Sequence, residues 1–230
     1  MPTPISVSII IPVLNELIGL KQLLPKLLLV ENICELVIVD DNSVDGTAQF
    51  VSSMAAVHPK LLLLQRTQRG LGSAVRDGAK LCTSSHAIVM DGDGQHGIDD
   101  LVSIIDTWKC AQEPNGIIVG SRFLDQSSIS GFPVYRLWLS RILNTILKLT
   151  TRNKTSDPLS GFFLAPITVI SSTNTNGFKI LYDLLLRSQD NPCMDVPIAF
   201  SGRIGGKSKA RLFELVELLK IVSMSFARRR

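Results

Sequence analysis

The sequence predicts an α/β domain: a mostly parallel central sheet with helices on both faces. The first observation behind this is that short β-branched apolar runs alternate with amphipathic stretches of helical period from residue 7 to about residue 120. The second is that acidic clusters directly follow two of the apolar runs, and the carboxyl ends of strands are where open parallel sheets bind ligands. The third is composition: 230 residues, 45% apolar and 19% charged, are enough for one large packed domain. Gly and Pro sit near average usage, which excludes collagen-like and disordered classes.

In chain order, residues 7–13 read as a strand. Leu17, Leu20, Leu23, Leu24, Leu27 and Leu28 then mark a helix in which Pro25 is expected to introduce a kink. Strands are expected over 36–39, 60–65, 87–90 and 116–120, separated by helices over 45–57, 73–81 and 98–110. Beyond residue 130 the pattern changes to helices over 134–149, 178–187 and 212–227, with short strands between. The longest uncharged stretch, 158–177, has the length of a membrane span, but its two Pro, two Asn and many Ser/Thr argue against one, so the chain is expected not to cross a bilayer.

Four cysteines, Cys34, Cys82, Cys110 and Cys193, lie far apart with no CxxC pair, so neither a zinc site nor a disulfide framework is expected. Reduced thiols fit a cytoplasmic location, and the first eleven residues lack the basic region and apolar run of a signal peptide. The net charge of +4 is unevenly spread: residues 1–130 hold nine Lys/Arg against fourteen Asp/Glu, and residues 131–230 hold fifteen against six. A basic back half suits phosphorylated substrates, an anionic membrane surface or nucleic acid. Nucleic acid is disfavoured because the positive charge is not interleaved with aromatics and no recognition motif appears.

Two acidic clusters carry the chemistry. Asp40-Asp41 follows the run 36–39, and Asp91-Gly92-Asp93-Gly94-Gln95 follows 87–90. In an extended segment residues i and i+2 point the same way, so Asp91 and Asp93, with Gln95 as a third oxygen donor, are expected to converge on one hard divalent cation. An isolated DxD is more often a solvated loop that caps the next helix, here through Asp99 or Asp100. Two acidic clusters at neighbouring strand ends shift the balance towards a site.

Together with Ser8-Ile9-Ile10-Ile11-Pro12-Val13-Leu14-Asn15-Glu16, Asp40 to Thr47, Gly70-Leu71-Gly72-Ser73-Ala74, Asp91 to His96 and Gly120-Ser121-Arg122-Phe123, these strand ends form an ordered set. In the back half the set continues with Asp157 to Phe163, Gly177 to Leu181, Val196-Pro197-Ile198 and Arg203 to Lys209. The chain resembles the family 2 glycosyltransferases over nearly its whole length, most closely the polyprenol-phosphate (dolichol-phosphate) mannose synthase type. The resemblance implies a GT-A fold, a Rossmann-like nucleotide-sugar domain, with C-terminal amphipathic helices. It further implies transfer of a hexose from a nucleotide diphosphate sugar, GDP-mannose favoured, to a polyprenyl phosphate.

By that resemblance Pro12, Glu16, Asp40, Asp41, Gly72, Asp91, Gly92 and Asp93 bind the nucleotide sugar, while Asp91, Asp93 and Gln95 hold Mg2+ or Mn2+. Arg122, Arg136, Ser140, Arg203 and Lys207 match its acceptor-phosphate contacts, and Asp93, Arg122, Arg136 and Arg203 its catalytic set. Residues 1–125 then form the nucleotide-sugar and metal half, 126–210 the acceptor half and 211–230 a basic amphipathic helix. The stretches 136–149 and 212–227, the latter followed by Arg228-Arg229-Arg230, have the pattern of interfacial helices, though the second equally fits a core-facing one. The protein is thus expected at the cytoplasmic face of a membrane, through these helices or a membrane-anchored partner.

The sequence departs from the family pattern where Leu14 replaces a frequent Tyr and Gly92 and Gly94 replace Ala and a larger apolar residue. Gly97-Ile98-Asp99-Asp100 likewise replaces Pro-Pro-Glu. Alternatives that stay open are another donor, UDP-glucose or UDP-GlcNAc, a non-lipid acceptor, and a catalytically silent binder. A phospho-receiver module would share the paired Asp, but it needs a Lys at a later strand end, and the matching strand here ends Val119-Gly120-Ser121-Arg122.

Overall fold

The structure, a computed structural model, describes residues 6–111, 113, 115–124, 144, 145, 147, 151, 155–177 and 179–199. The elements run β1 (Val7–Val13), α1 (Leu17–Leu27), β2 (Ile33–Asp40), α2 (Thr47–Ala55), β3 (Leu61–Gln65), α3 (Leu71–Ala79), β4 (His86–Val89), α4 (Ile98–Ala111) and β5 (Ile117–Ser121). There follow β6 (Phe163–Pro166), α5 (Ile167–Ser171), α6 (Ile180–Arg187) and β7 (Cys193–Pro197).

The seven strands order as β3-β2-β1-β4-β6-β5-β7, parallel except β6, which pairs antiparallel with β4 and β5. Period-2 alternation divides the core. Ile9, Ile11, Leu36 and Ile38 face α1, α2 and α4, and Ile10, Val37 and Val39 face α3, α5 and α6. Both faces are thus covered, and each large side chain so buried contributes about 1.5–3 kcal/mol. This confirms the expected mostly parallel sheet with flanking helices.

Some boundaries moved for local reasons. The second helix begins at Thr47 rather than Asp45, because Gly46 takes a left-handed φ of 91° and Asp45 instead accepts the Thr47 N–H at 3.0 Å. Helix α1 runs on past Pro25 to Leu27. The strand β6 falls within the uncharged stretch 158–177, which is strand, short helix and loop; no helix among the described residues is long and apolar enough to cross a membrane. Of the helix expected over 134–149, Asn144, Thr145 and Leu147 are described and helical. The helix expected over 212–227 lies outside the described residues.

Candidate active site

Strand order reverses at β1, which has β2 on one side and β4 on the other, and the crevice at such a switch point is where open α/β sheets take their ligands. The carboxyl ends of these three strands carry Asn15 and Glu16, Asp40 and Asp41, and the 91–95 loop. Pro12 is buried in β1 opposite Val39, and Val13 pairs with Asp40, so the first two sets lie side by side.

The loops after β1 and β2 are joined through backbone groups. Asn15, at φ 56°, donates its N–H to Ser43 Oγ and accepts the Val44 N–H at Oδ1, each at 2.8 Å. The Glu16 N–H donates to Thr47 Oγ1 at 3.2 Å, and Asp45 Oδ2 accepts the Leu17 N–H at 3.1 Å, which caps the start of α1 from the neighbouring loop. Burial opposes ionisation of Asp45, but hydrogen bonds from Thr47 and Leu17 outweigh it and hold its carboxyl below the usual range.

Asp40 is fully buried; its Oδ1 accepts from the Ser43 N–H and hydroxyl, and its Oδ2 has no hydrogen-bond partner. Asp41 Oδ2 accepts the Gly70 N–H at 2.8 Å, and Oδ1 lies 3.3 Å from Arg66 Nη1 without hydrogen-bond geometry. Burial pushes the Asp41 carboxyl above the usual range, and the charge on Asp40 adds to this. The Gly70 N–H, Arg66 and Arg69 work against it. Asp40 Oδ2 is thus a buried acceptor without a hydrogen bond, which costs about 1–3 kcal/mol until a donor reaches it, whereas Asp41 Oδ1 faces the Arg66 guanidinium. Gly72 is buried at the start of α3 against residues 175–176, and a Cβ there would come within 3.0 Å of the Thr175 carbonyl.

The 91–95 loop is not extended, as the two-residue argument had it, but bent, with Gly94 at φ 75°. Asp93 is buried and its Oδ1 accepts the Gln95 N–H at 3.1 Å, whereas the Asp91 side chain is 41% exposed, with Oδ2 3.9 Å from His96 Nε2. The His96 ring packs on Phe162, with centroids 4.5 Å apart. Gly92 is buried under Val13, and its carbonyl oxygen sits against Gly19 of α1. Among the described residues no three His, Cys, Asp or Glu side chains gather into a metal cage. Two carboxylates and an amide form an all-oxygen set that fits a hard divalent cation sharing its remaining positions with a ligand and water. As for the helix-capping alternative, Asp100 Oδ2 accepts the Gly97 N–H at 3.4 Å, so Asp99 and Asp100 belong to the helix start while Asp91 and Asp93 lie ahead of it.

Arg122, at the end of β5, gives Nε and Nη2 to the two oxygens of Asp157 at 2.7 and 2.9 Å, a bidentate fork on a fully buried carboxylate. Burial acts to lower the Arg122 pKa, but Asp157 outweighs it and holds the value above the usual one, with Asp91 contributing at longer range. The structure therefore shows Arg122 engaged with a protein carboxylate. Around this pair Ser121 Oγ meets Ser156 Oγ at 2.5 Å and Ser160 Oγ donates to the Gly120 carbonyl at 2.7 Å. Arg136, Ser140, Arg203 and Lys207 lie outside the described residues.

Sequence reasoning missed Arg66 and Gly19. Nothing local marks Arg66, whose partners in the 40–41 and 73–77 stretches are brought to it by folding; Gly19 is a glycine inside a helix, a position that costs stability unless something packs closely on it. A cavity of about 720 Å3 between the end of α1 and α4, lined by Leu29, Val30, Val102 and Lys109 among others, is separate from these carboxylates.

Residues 8–171 match the model of the glycosyl transferase family 2. The chain is 30% identical over 223 residues to a dolichol-phosphate mannosyltransferase of Pyrococcus furiosus, covering 93% of this chain and 62% of that protein. It is 31% identical to a protein of the same name from Mycosarcoma maydis, covering 89% and 73%. The chain thus spans a little under two thirds of the length of the Pyrococcus relative. Among solved structures, glucosyl-3-phosphoglycerate synthase from Mycobacterium tuberculosis in complex with Mg2+ and uridine diphosphate superposes with a TM-score of 0.66 at 17% identity, covering 97% of this chain and 79% of that one. The chain thus shares its fold with that enzyme.

Proposed function

The chain belongs to glycosyl transferase family 2, and from that premise we propose that it moves a hexose, mannose favoured, from a nucleotide diphosphate sugar to a polyprenyl or dolichyl phosphate. The observation that carries the reading is the meeting of Asp40-Asp41 and the Asp91-Gln95 loop at the switch point, in a chain similar to dolichol-phosphate mannosyltransferases.

In this reading Pro12, Glu16, Asp40 and Asp41 receive the nucleoside, with the Asp40 Oδ2 acceptor supplying what a ribose hydroxyl or base N–H needs. Gly72 and Gly92 keep the backbone close around the donor. Asp91, Asp93 and Gln95 would hold Mg2+ or Mn2+; the similar synthase was solved with Mg2+ and also with Mn2+ and UDP-glucose. Bound there, the cation neutralises charge developing on the departing diphosphate.

The acceptor phosphate falls to Arg122, Arg136, Ser140, Arg203 and Lys207: Arg122, its Nε and Nη2 given to Asp157, contributes its charge, and the forks of Arg136 and Arg203 orient the phosphate as well as attract it. A phosphate monoester with a second pKa of about 6 is already largely dianionic at neutral pH, so no general base is needed. Its oxygen forms the bond to the anomeric carbon as the bond from that carbon to the diphosphate oxygen breaks on the opposite face, which inverts the configuration. Residues 1–125 serve as the donor half and 126–210 as the acceptor half. The protein works at the cytoplasmic face of a membrane, held through residues 136–149 and 211–230 or a membrane-anchored partner.

The test is turnover of radiolabelled GDP-mannose and UDP-glucose, each with Mg2+ or Mn2+, into organic-extractable product on a short polyprenyl phosphate. Label in the organic phase from GDP-mannose is the expected result. A metal-dependent nucleotide-sugar affinity without extractable label from either donor would overturn the lipid acceptor, and absence of affinity would overturn the donor site as well.

A further inference from the structure

The Arg66 side chain, 7% exposed, meets three side chains from two parts of the chain, the end of β2 and helix α3. Its own N–H donates to the Asp40 carbonyl at 2.9 Å, which fixes its backbone to the end of β2. Nη1 lies 3.3 Å from Asp41 Oδ1, Nη2 donates to Ser73 Oγ at 2.7 Å, and Nε lies 3.2 Å from Asp77 Oδ2. Ser73 Oγ also reaches the Gly70 carbonyl at 2.8 Å, and the Gly70 N–H returns to Asp41 Oδ2 at 2.8 Å. The contacts close a ring, Asp41 to Arg66 to Ser73 to Gly70 and back to Asp41, that grips the carboxylate at both oxygens.

We propose that Arg66 is a positioning residue of the donor site: it holds Asp41 charged and in one orientation for the nucleoside, while Ser73 and Asp77 hold Arg66. The inference rests on the reading of Asp41 as a nucleoside contact. Asp40 and Asp41 are adjacent buried carboxylates, and two like charges out of water favour protonation of one of them. A protonated Asp41 is a poorer acceptor and turns a donor of its own towards the ligand. Burial pushes this carboxyl upwards, and the cations beside it act against that push. These are Arg66 in contact and Arg69 at longer range, against Asp40; Arg66 itself faces Asp41 and Asp77, and Asp77 in turn faces Lys80 and Arg76.

The experiment is calorimetric titration of the intact chain with guanosine diphosphate and uridine diphosphate in Mg2+, from about pH 4, near the ordinary carboxylate value, to about pH 8. Arg66→Gln is expected to weaken the better nucleotide roughly tenfold or more at neutral pH and to move the acid limb of the binding profile upwards; Arg66→Lys recovers part of both, since it restores charge but not the fork. A weakened Arg66→Gln whose pH profile matches the parent would reduce Arg66 to a structural prop and overturn the proposal, as would unchanged affinity.

If Arg66→Gln does not fold, the Ser73→Ala/Asp77→Ala variant keeps the arginine but removes its supports; it is expected to weaken binding several-fold with the same profile shift, and parent-like binding overturns the proposal. Asp41→Asn separates the two layers. Parent-like nucleotide binding by that variant, or none by the parent, means that the donor-site reading has failed and this inference with it. Weak binding by Asp41→Asn beside parent-like Arg66→Gln fails the inference alone.

Discussion

The carbonyl oxygen of Gly92 occupies the space where a side chain on Gly19 would begin: a Cβ there would come within 3.0 Å of it. Helix α1 and the 91–95 loop therefore meet backbone to backbone, and the helix that is capped from the β2 loop also supports the candidate metal loop. Gly19→Ala is expected to cost about 1–3 kcal/mol, the range for overpacking, and to lower metal-dependent turnover beyond the loss of folded protein. Thermal unfolding beside a titration of activity against Mn2+ checks both.

Asp93→Asn replaces a buried carboxylate by a neutral side chain of the same shape. The expected result is a loss of roughly 100-fold in turnover, the scale seen when one electrostatic stabiliser is removed, with nucleotide binding in the absence of metal unchanged. Steady-state rates and metal-free titration measure the two arms; equal turnover would remove Asp93 from the metal set.

Arg122 and Asp157 are unequal partners in solvent, the arginine side chain being 28% exposed and the carboxylate not at all. Breaking a buried pair from one side costs about 3–5 kcal/mol because a charge is stranded. Arg122→Ala strands the dry member and is expected to destabilise more than Asp157→Ala. Denaturant unfolding of both variants ranks them, and the reverse order would refute the argument.

Asp41 gives a pH signature. Its folded-state carboxyl is raised by burial, so the folded protein binds that proton more tightly than the unfolded chain does. The stability this confers is present below the unfolded value of about 3.9 and is lost as pH rises through the raised folded value. The melting temperature of Asp41→Asn should therefore gain on the parent as pH rises from about 4 to 7, while its nucleotide affinity falls. A melting difference that is flat with pH would contradict the raised value.

Asp45 has the opposite sign. With its carboxyl held low by Thr47 and Leu17, its contribution is present above the ordinary carboxylate range and disappears as pH falls through the lowered folded value. Asp45→Ala should cost about 1 kcal/mol at neutral pH, the size of a lost helix cap, and progressively less in acid. Paired melts at neutral and acid pH read this out.

The sequence made β1, β2 and β4 legible because each is a run of apolar residues long enough to cross a sheet covered on both sides, and their acidic exits follow directly. It left β6 indistinct, since four residues ending in Pro166 show no alternation, and its antiparallel direction depends on partners in β4 and β5 more than forty residues away. Asp40, Asp41, Asp91 and Asp93 could be found because they are local to strand ends. Arg66 could not, since its meaning comes from Asp41, Ser73 and Asp77, which only folding brings around it. The pairing of Arg122 with Asp157 was hidden for the same reason, since 35 residues separate the two.

Because β6 runs against its neighbours, the chain leaves the sheet after Ser121 and re-enters at Phe163 on the same rim. Its two ends are buttoned together there by Arg122 with Asp157 and by Ser121 with Ser156. A stretch closed at its base in this way can be lengthened, shortened or exchanged between relatives while the strands beneath keep their register. A chimera that takes residues 123–156 from another member of the family, and keeps this clasp, should therefore fold as the parent does.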